Sequence, residues 1–546
     1  MTEITVAELL IDRLKQRGLQ RLFGVPGGGS SMDLIDAGRR AGVDFVLSRR
    51  EDAGIIMAAV TAWLSRAPGL ALATKGPGLT SSANGVASAY LDRSPIIFVS
   101  DGFGADERNY VSHQYFDQAA VMDPITKVTT TLSGDDPAGE LDALLQTLLA
   151  APQGPAFIEL TGAVAKRSVA VPAPAKAAKV TVGEAAPASG DIDAVRAMIN
   201  GARRPVIVAG FESTVHDNAL AVRRLAEALG APALVTYMAK GVIADEHDNF
   251  AGIFTGGKAE FGCVSEADLI ILAGLDPVEL IRKPWAYDAP VIDIGEVRHD
   301  KHYLTPALGL YGPMGASLDQ VTDSLNPSVW TAGEIARHRA AFFEAMAFQE
   351  RATLTPVSIV RAAARCFVPE FYDGPRLAPR LAVDAGAHMF SAVAFWPARQ
   401  PYDVLISNGL ATMAFALPAA IAAALQDSDR GAVAMTGDGG LMMCMGELVT
   451  AAQQNANLTV IVFNDGALSL IDIKRQEMQL PDLGMTWQRP DFAATALGLG
   501  LQSWRVETEG ELTAALGEAS EQRGPCLIDV VLDPDGYLDQ MRSLRG

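Results

Sequence analysis

The sequence predicts an α/β chain of three doubly wound parallel-sheet domains. Short apolar runs of strand length alternate with segments whose apolar residues recur at helical spacing, the pattern of βα units. That alternation stops and restarts twice, across an Ala-, Pro-, Lys- and Val-rich stretch at 169–188 and across a turn-rich stretch at 371–379. The length of 546 residues, 49% of them hydrophobic, suits about three to four domains with large buried cores.

The first domain is expected at 1–165. It opens with a capped amphipathic helix at 6–17, unlike a signal peptide. A strand at 21–25 leads into a Gly-rich turn at 26–31, and further strands are expected at 45–47, 70–73, 96–100 and 157–160. Residues 166–190 read as a linker. The second domain, 191–328, carries strands at 205–209, 233–236, 269–273 and 291–294. It contains Gly256-Gly257 but no GxGxxG after a strand, so the dinucleotide fingerprint is absent. A helical connector and loop fill 329–379. The third domain, 380–546, begins with a strand at 381–383.

The formal net charge of −20 and pI near 4.8 argue against nucleic acid or an anionic membrane as partner. Cys263, Cys366, Cys444 and Cys526 are scattered, with neither CxxC nor zinc spacing, which suits reduced thiols in the cytoplasm. The small apolar segment 414–425 is too short to span a bilayer.

The most informative stretch is 432–473. An apolar strand, 432–435, meets a tight turn, Gly437-Asp438-Gly439-Gly440. A helix-like segment follows, with Leu441, Met445, Leu448 and Ala452 near helical spacing. A second apolar strand, 458–463, ends at Asn464-Asp465-Gly466. Ligands bind at the C-terminal ends of parallel strands. Two carboxylates there suit a divalent hard cation, and glycine N–H groups at a helix start suit the diphosphate it would carry.

This stretch resembles the diphosphate-binding signature of the thiamine-diphosphate (ThDP) enzymes, with Asn-Asp where many members have Asn-Asn. The resemblance implies pyrimidine-binding, middle and diphosphate-binding domains in that order. It implies Asp438, Asp465 and the backbone carbonyl of Ala467 as Mg²⁺ ligands, with Gly437, Gly439 and Gly440 around the phosphates. Asp384-Ala385-Gly386-Ala387-His388 is similar to the family's second diphosphate loop and adds Gly386, Ala387 and His388. Ser407-Asn408-Gly409-Leu410-Ala411-Thr412-Met413 is similar to the segment that bends the coenzyme, with Met413 wedged between its rings, the Ala411 carbonyl accepting from its amino group and Gly409 in the preceding turn. Glu51, after the strand at 45–47, matches the Glu that activates the coenzyme through its aminopyrimidine ring, a role suited to a buried acid with a raised pKa.

The same resemblance places substrate between the Gly-rich turn at Gly28 and the segment Leu468-Ser469 after the metal turn. Gln114, at its spacing from Thr126-Lys127, is similar to the Gln of acetolactate synthase and related carboligases. The sequence has seven His, none adjacent, whereas simple 2-oxo acid decarboxylases use an adjacent pair. Acetolactate-synthase-like decarboxylation and carboligation of a small 2-oxo acid is therefore expected. The alternatives are a decarboxylase, a lyase of aldehyde or CoA-ester substrates such as a 2-hydroxyacyl-CoA lyase, and, from another class, a non-catalytic cofactor-binding paralogue that acts as a regulatory or assembly partner. The acetolactate synthase branch carries FAD in its middle domain. Leu272-Ala273-Gly274-Leu275-Asp276-Pro277 lacks the Gly-x-Arg-Phe-like run of that site, so FAD is not favoured. Family architecture implies a homodimer at minimum and a homotetramer by pairing of dimers.

Overall fold

The computed structural model describes residues 3–132, 135–170, 186–348, 353–368 and 377–545. Most of the expected linker and residues 369–376 of the expected loop lie outside the described residues. Among the described residues the chain forms three six-stranded sheets and one two-stranded pair.

The first sheet runs Asp44–Leu47, Arg21–Val25, Gly69–Ala73, Ile96–Asp101, Ala156–Leu160 and Val128–Thr131, every neighbouring pair parallel. The third runs Val404–Ile406, Arg380–Val383, Ala432–Gly437, Leu458–Asn464, Cys526–Val531 and Gln502–Val506, again all parallel. Counted from each domain's own first strand, both have the order 2-1-3-4-6-5. The middle sheet differs. Its order is 3-2-1-4-5-6, with Pro205–Ala209 and Leu269–Ala273 paired at its centre. Parallel sheets need both faces covered, and the central strands are buried along their length.

Successive strand residues point to opposite faces. Phe23, Ala71, Phe98 and Phe157 therefore join a core that continues through the middle and third domains. Leu22, Leu70, Leu72, Ile97 and Ile158 fill a separate core beneath the first helices. The N-terminal helix is Val6–Lys15, closed by a capping box between Thr5 and Glu8. Glu3–Thr5 pairs antiparallel with Ser168–Ala170, so the first domain takes in residues that the sequence assigned to the linker.

Two buried acids join the first domain to the third. Asp92, 1% exposed, accepts from the Ser88 hydroxyl at 3.0 Å, from the Ser407 hydroxyl and from the Gly409 N–H at 2.7 Å. Glu447 accepts from the backbone N–H groups of Arg49 at 2.8 Å and Arg50 at 2.9 Å. Its placement depends on a break in the expected helix, which is two helices, Asp438–Cys444 and Glu447–Gln453. Gly446 lies at the break, and a Cβ there would stand 3.2 Å from Arg49.

Removing Asp92 leaves buried donors unpaired. Asp92→Ala should cost about 2 kcal/mol in urea unfolding. Burial pushes this acid up from 3.8 to about 6. The folded state therefore binds more protons than the unfolded state in that window. The stability that wild type holds over Asp92→Ala should shrink as pH rises from 3.8 to about 6.

Candidate active site

Where neighbouring strands of a parallel sheet lead their helices to opposite faces, a crevice opens beyond their C-terminal ends. In the third sheet that place lies between Arg380–Val383 and Ala432–Gly437. A cavity of about 290 Å³ stands there, bounded by Gly386, His388, Met413, Asp438, Asp465 and Leu468 among others. The expected turn at 437–440 is instead a direct strand-to-helix junction, because Ala432–Gly437 passes straight into Asp438–Cys444. Its glycines serve close approach. A Cβ on Gly440 would stand 2.2 Å from Oδ2 of Asp384, and one on Gly439 would stand 3.1 Å from Leu468 and 3.4 Å from the Met413 methyl. Asp384 is the post behind this junction. It is 1% exposed and accepts from the Ala416 N–H at 2.7 Å and the Thr436 hydroxyl at 2.6 Å.

Asp438 accepts from the Gly439 and Gly466 N–H groups, each at 2.8 Å. Asp465 accepts from the Ala467 N–H at 3.1 Å and the Ser469 hydroxyl at 2.6 Å. Burial, then the charge of Asp465, pushes Asp438 up to about 7. Burial pushes Asp465 up to about 6. A cation between them would reverse both shifts. The donors are all oxygens, as a hard divalent ion requires. Among the described residues no group of three or more His, Cys, Asp or Glu could hold a metal. Ala467 lies two residues after Asp465 and lines the same cavity. It faces Thr486 in an isolated bridge whose hydrogen bonds belong to its neighbours, Trp487 N–H to the Gly466 carbonyl and Leu468 N–H to the Met485 carbonyl.

His388 lines the cavity and is 4% exposed, stacked on Phe463 with ring centroids 5.2 Å apart. Burial pushes it down to about 4, so the ring is uncharged at neutral pH, and its Nε2 has no hydrogen-bond partner among the described residues. Gly386 and Ala387 open the helix Ala387–Phe395 beside it. Met413 sits between Ala411 at φ 54° and Ala414 at φ 64°. Two non-glycine residues in the left-handed region mark a strained segment. Ala411, Met413, Leu468 and Ser469 all line the cavity, although the Ser469 hydroxyl is spent on Asp465. Gly409 does not line it. A Cβ there would stand 2.6 Å from the Leu91 carbonyl, so that glycine serves domain docking.

The first sheet has the equivalent crevice, between Arg21–Val25 and Gly69–Ala73. The Gly-rich turn occupies it without positive φ at Gly27, Gly28 or Gly29. A Cβ on Gly27 would stand 2.2 Å from Asp101, whereas one on Gly28 meets nothing within 4 Å. Asp101 holds the turn by accepting from Ser30 and Ser31. Glu51 heads the helix Glu51–Ser65 and faces Gly78. It is half-buried, not buried as expected. Gln114, at φ 59° and exposed, packs its Cβ against Gly76. Glu51, Gln114 and Gly28 lie outside the cavity of Asp438 and Asp465. Met413 meets the first domain in a separate recess, with Arg50, Asp52 and Asn84. Lys127 is remote from both crevices. Its ammonium donates to the Ala150 carbonyl at 2.6 Å.

Sequence reasoning missed several groups. Gln118 accepts from the Gly76 N–H and donates to the Asp101 carbonyl. Trp487 closes over Gly439, and Tyr537 enters the cavity from the C-terminal helix Tyr537–Arg545. Each is brought in by a distant segment and carries no local signal.

Family models of consecutive domains match the chain: the N-terminal TPP binding domain of thiamine pyrophosphate enzymes at residues 4–121, their central domain at 192–321 and their C-terminal TPP binding domain at 384–530. The chain belongs to the thiamine pyrophosphate enzymes. It is a ThDP-dependent enzyme of the acetolactate synthase and pyruvate oxidase/decarboxylase superfamily. It is similar to the acetolactate synthase of Bacillus subtilis (strain 168), 26% identical across 96% of this chain and 93% of that protein. It is similar to the acetolactate synthase isozyme 1 large subunit of Escherichia coli (strain K12), 28% identical across 97% and 94%. It is also similar to the probable 2-ketoarginine decarboxylase AruI of Pseudomonas aeruginosa, 25% identical across 96% and 94%.

A cation bound at Asp438 and Asp465 would have to displace the protons that burial favours on them. The Mg²⁺-dependent affinity for ThDP should therefore weaken as pH falls through about 7. Asp438→Ala should lower that affinity by about 100-fold above pH 7 and by less as pH falls and wild-type Asp438 takes up its proton. Fluorescence titration with ThDP, with and without Mg²⁺, reads both effects.

Proposed function

We propose that this ThDP enzyme makes and breaks C–C bonds on a small 2-oxo acid, by acetolactate-synthase-like decarboxylation followed by carboligation. The observation that carries this reading is the open crevice of the third domain, where paired Asp438 and Asp465 stand beside an uncharged His388. Asp438, Asp465 and the Ala467 carbonyl would hold Mg²⁺. Gly386, Ala387, Gly437, Gly439 and Gly440 would surround the diphosphate, and Ala411 and Met413 would support the rings. ThDP supplies a carbon nucleophile that also holds the electron pair left when CO₂ departs. Glu51 would hold the proton at the aminopyrimidine that switches this carbon on. Gln114 and the backbone at Gly28 would orient the substrate carbonyl.

The lack of any adjacent histidine pair among the seven His supports carboligation over simple decarboxylation. The decarboxylase among the relatives keeps simple decarboxylation as the second reading. A cytoplasmic location is part of the proposal, supported by four free cysteines, and no described helix is long and apolar enough to cross a membrane.

We further infer that a second copy completes the site. Within one chain Glu51, Gln114 and Gly28 stand apart from the cavity of Asp438, so a homodimer is the smallest competent unit, and a tetramer would pair two such dimers.

Incubation with ThDP, Mg²⁺ and pyruvate should release CO₂ and form acetolactate, and Glu51→Gln should lower kcat by about 100-fold or more. Release of CO₂ with aldehyde as sole product would favour the decarboxylase reading. Glu51→Gln and Asp438→Asn chains, each nearly inactive alone, should regain activity when co-expressed, because a mixed dimer holds one site with both groups intact. Absence of recovery would put both groups in one chain.

A further inference from the structure

The middle domain has its own crevice, between the ends of Pro205–Ala209 and Leu269–Ala273. Its 3-2-1-4-5-6 order is that of dinucleotide-binding sheets, which hold a diphosphate on backbone N–H groups at this point. Here those N–H groups have protein partners. Oε2 of Glu279, a residue 5% exposed, accepts from the Phe211 N–H at 2.7 Å and the Asp276 N–H at 3.2 Å. Its other oxygen takes the Thr236 hydroxyl. Glu212 repeats the substitution one strand further on, accepting from the Glu296 N–H at 2.7 Å and facing Nε2 of His299 at 3.2 Å.

The strand ends are crowded, and the cavity of about 350 Å³ beside them is lined by the acids Glu212, Asp276 and Glu296 as well as by Arg66 and Arg93. A Cβ on Gly210 would stand 2.3 Å from the Leu275 Cα and 2.8 Å from the Glu279 carboxyl, and one on Gly295 would stand 2.8 Å from Glu212. One cation beside the crevice is already engaged. Arg93, from the first domain, grips Asp276 with Nε at 2.7 Å and Nη2 at 3.2 Å. Glu279 does not need a charge to hold its place. Burial pushes it up to about 8, and the neutral acid still accepts from amides.

We propose that Glu279 and Glu212 are internal substitutes for a dinucleotide diphosphate, so that this middle domain takes neither FAD nor another nucleotide diphosphate and serves instead as a joint between domains. The joint consists of direct contacts. Asp276 ties it to Arg93 of the first domain, and the Glu279 carbonyl accepts from the Asn408 side-chain amide of the third domain at 3.0 Å. Asn408 lines the cavity of Asp438, so the filled crevice helps to position the segment that carries Met413.

The test uses the enzyme reconstituted with ThDP and Mg²⁺ and shown to turn over. Acid release should yield ThDP and no flavin or adenine nucleotide. Calorimetric titration with FAD and with ADP should give no saturable heat, and added FAD should leave turnover unchanged. About one equivalent of flavin or adenine nucleotide per chain, or saturable binding of either probe, would overturn the proposal. These readouts do not depend on which 2-oxo acid is used, so a wrong substrate assignment and a wrong assignment of the middle domain are told apart.

Discussion

A parallel sheet whose strand order reverses must leave a gap beyond the two strands that part. The chain leaves one strand for one face and the other strand for the opposite face, so nothing local covers the N–H groups that follow them. This molecule meets that constraint three times and resolves it in three ways. In the third domain the gap stays open, floored by glycines and walled by Asp438, Asp465 and His388. In the first it is lined by Gly27–Gly29, with Asp101 holding the turn from behind. In the middle domain Glu279 fills it.

Each open crevice rests on a buried carboxylate that never reaches the cavity floor. Asp384 and Asp101 stand one layer back; Asp384 satisfies donors from two segments, and Asp101 satisfies those of the adjacent Ser30 and Ser31. A buried acid with all its oxygens engaged fixes geometry more sharply than apolar packing does, because displacing it leaves unpaired donors. The same device joins domains. Asp92 and Glu447 take backbone N–H groups across the boundary between the first and third domains. Gly409 and Gly446 let the two backbones approach. The start of the Glu51 helix is therefore held by the third domain of its own chain, while the Glu51 carboxyl lies beside Gly78 and does not line that domain's cavity.

The sheets were legible because a strand buried on both faces is an apolar run bounded by turn formers, and most of its evidence is local. Asp438 and Asp465 were legible because they end two such runs with polar residues. The conformation between them was not. A Gly-rich string reads as a turn, yet here the glycines are required by Asp384, Leu468 and Met413, residues far off in sequence. The helix break at Met445-Gly446 has a similar origin, since it is set by the first-domain backbone at Arg49 and Arg50. Edge strands such as Val128–Thr131 and Gln502–Val506 escaped because they are only partly buried and lack the apolar run. Gln118, Trp487 and Tyr537 act through contacts that no window of sequence contains. Glu51 was expected buried, and in one chain it is buried only in part.

The electrostatics of the open crevice give its chemistry a direction. Asp438 and Asp465 are raised first by burial, and Asp438 also by its neighbour's charge. Proteins keep buried like charges where a ligand of opposite charge relieves them. His388, held near 4, adds no positive charge that would compete with a cation for that place. A dication held between the carboxylates would remove the repulsion, lower both acids and bring the pair from two negative charges to none, so that an incoming diphosphate would no longer be repelled. In the proposed function metal and diphosphate binding would therefore be coupled by charge, each improving the site for the other, and the protein's own contribution is to bury the two carboxylates together.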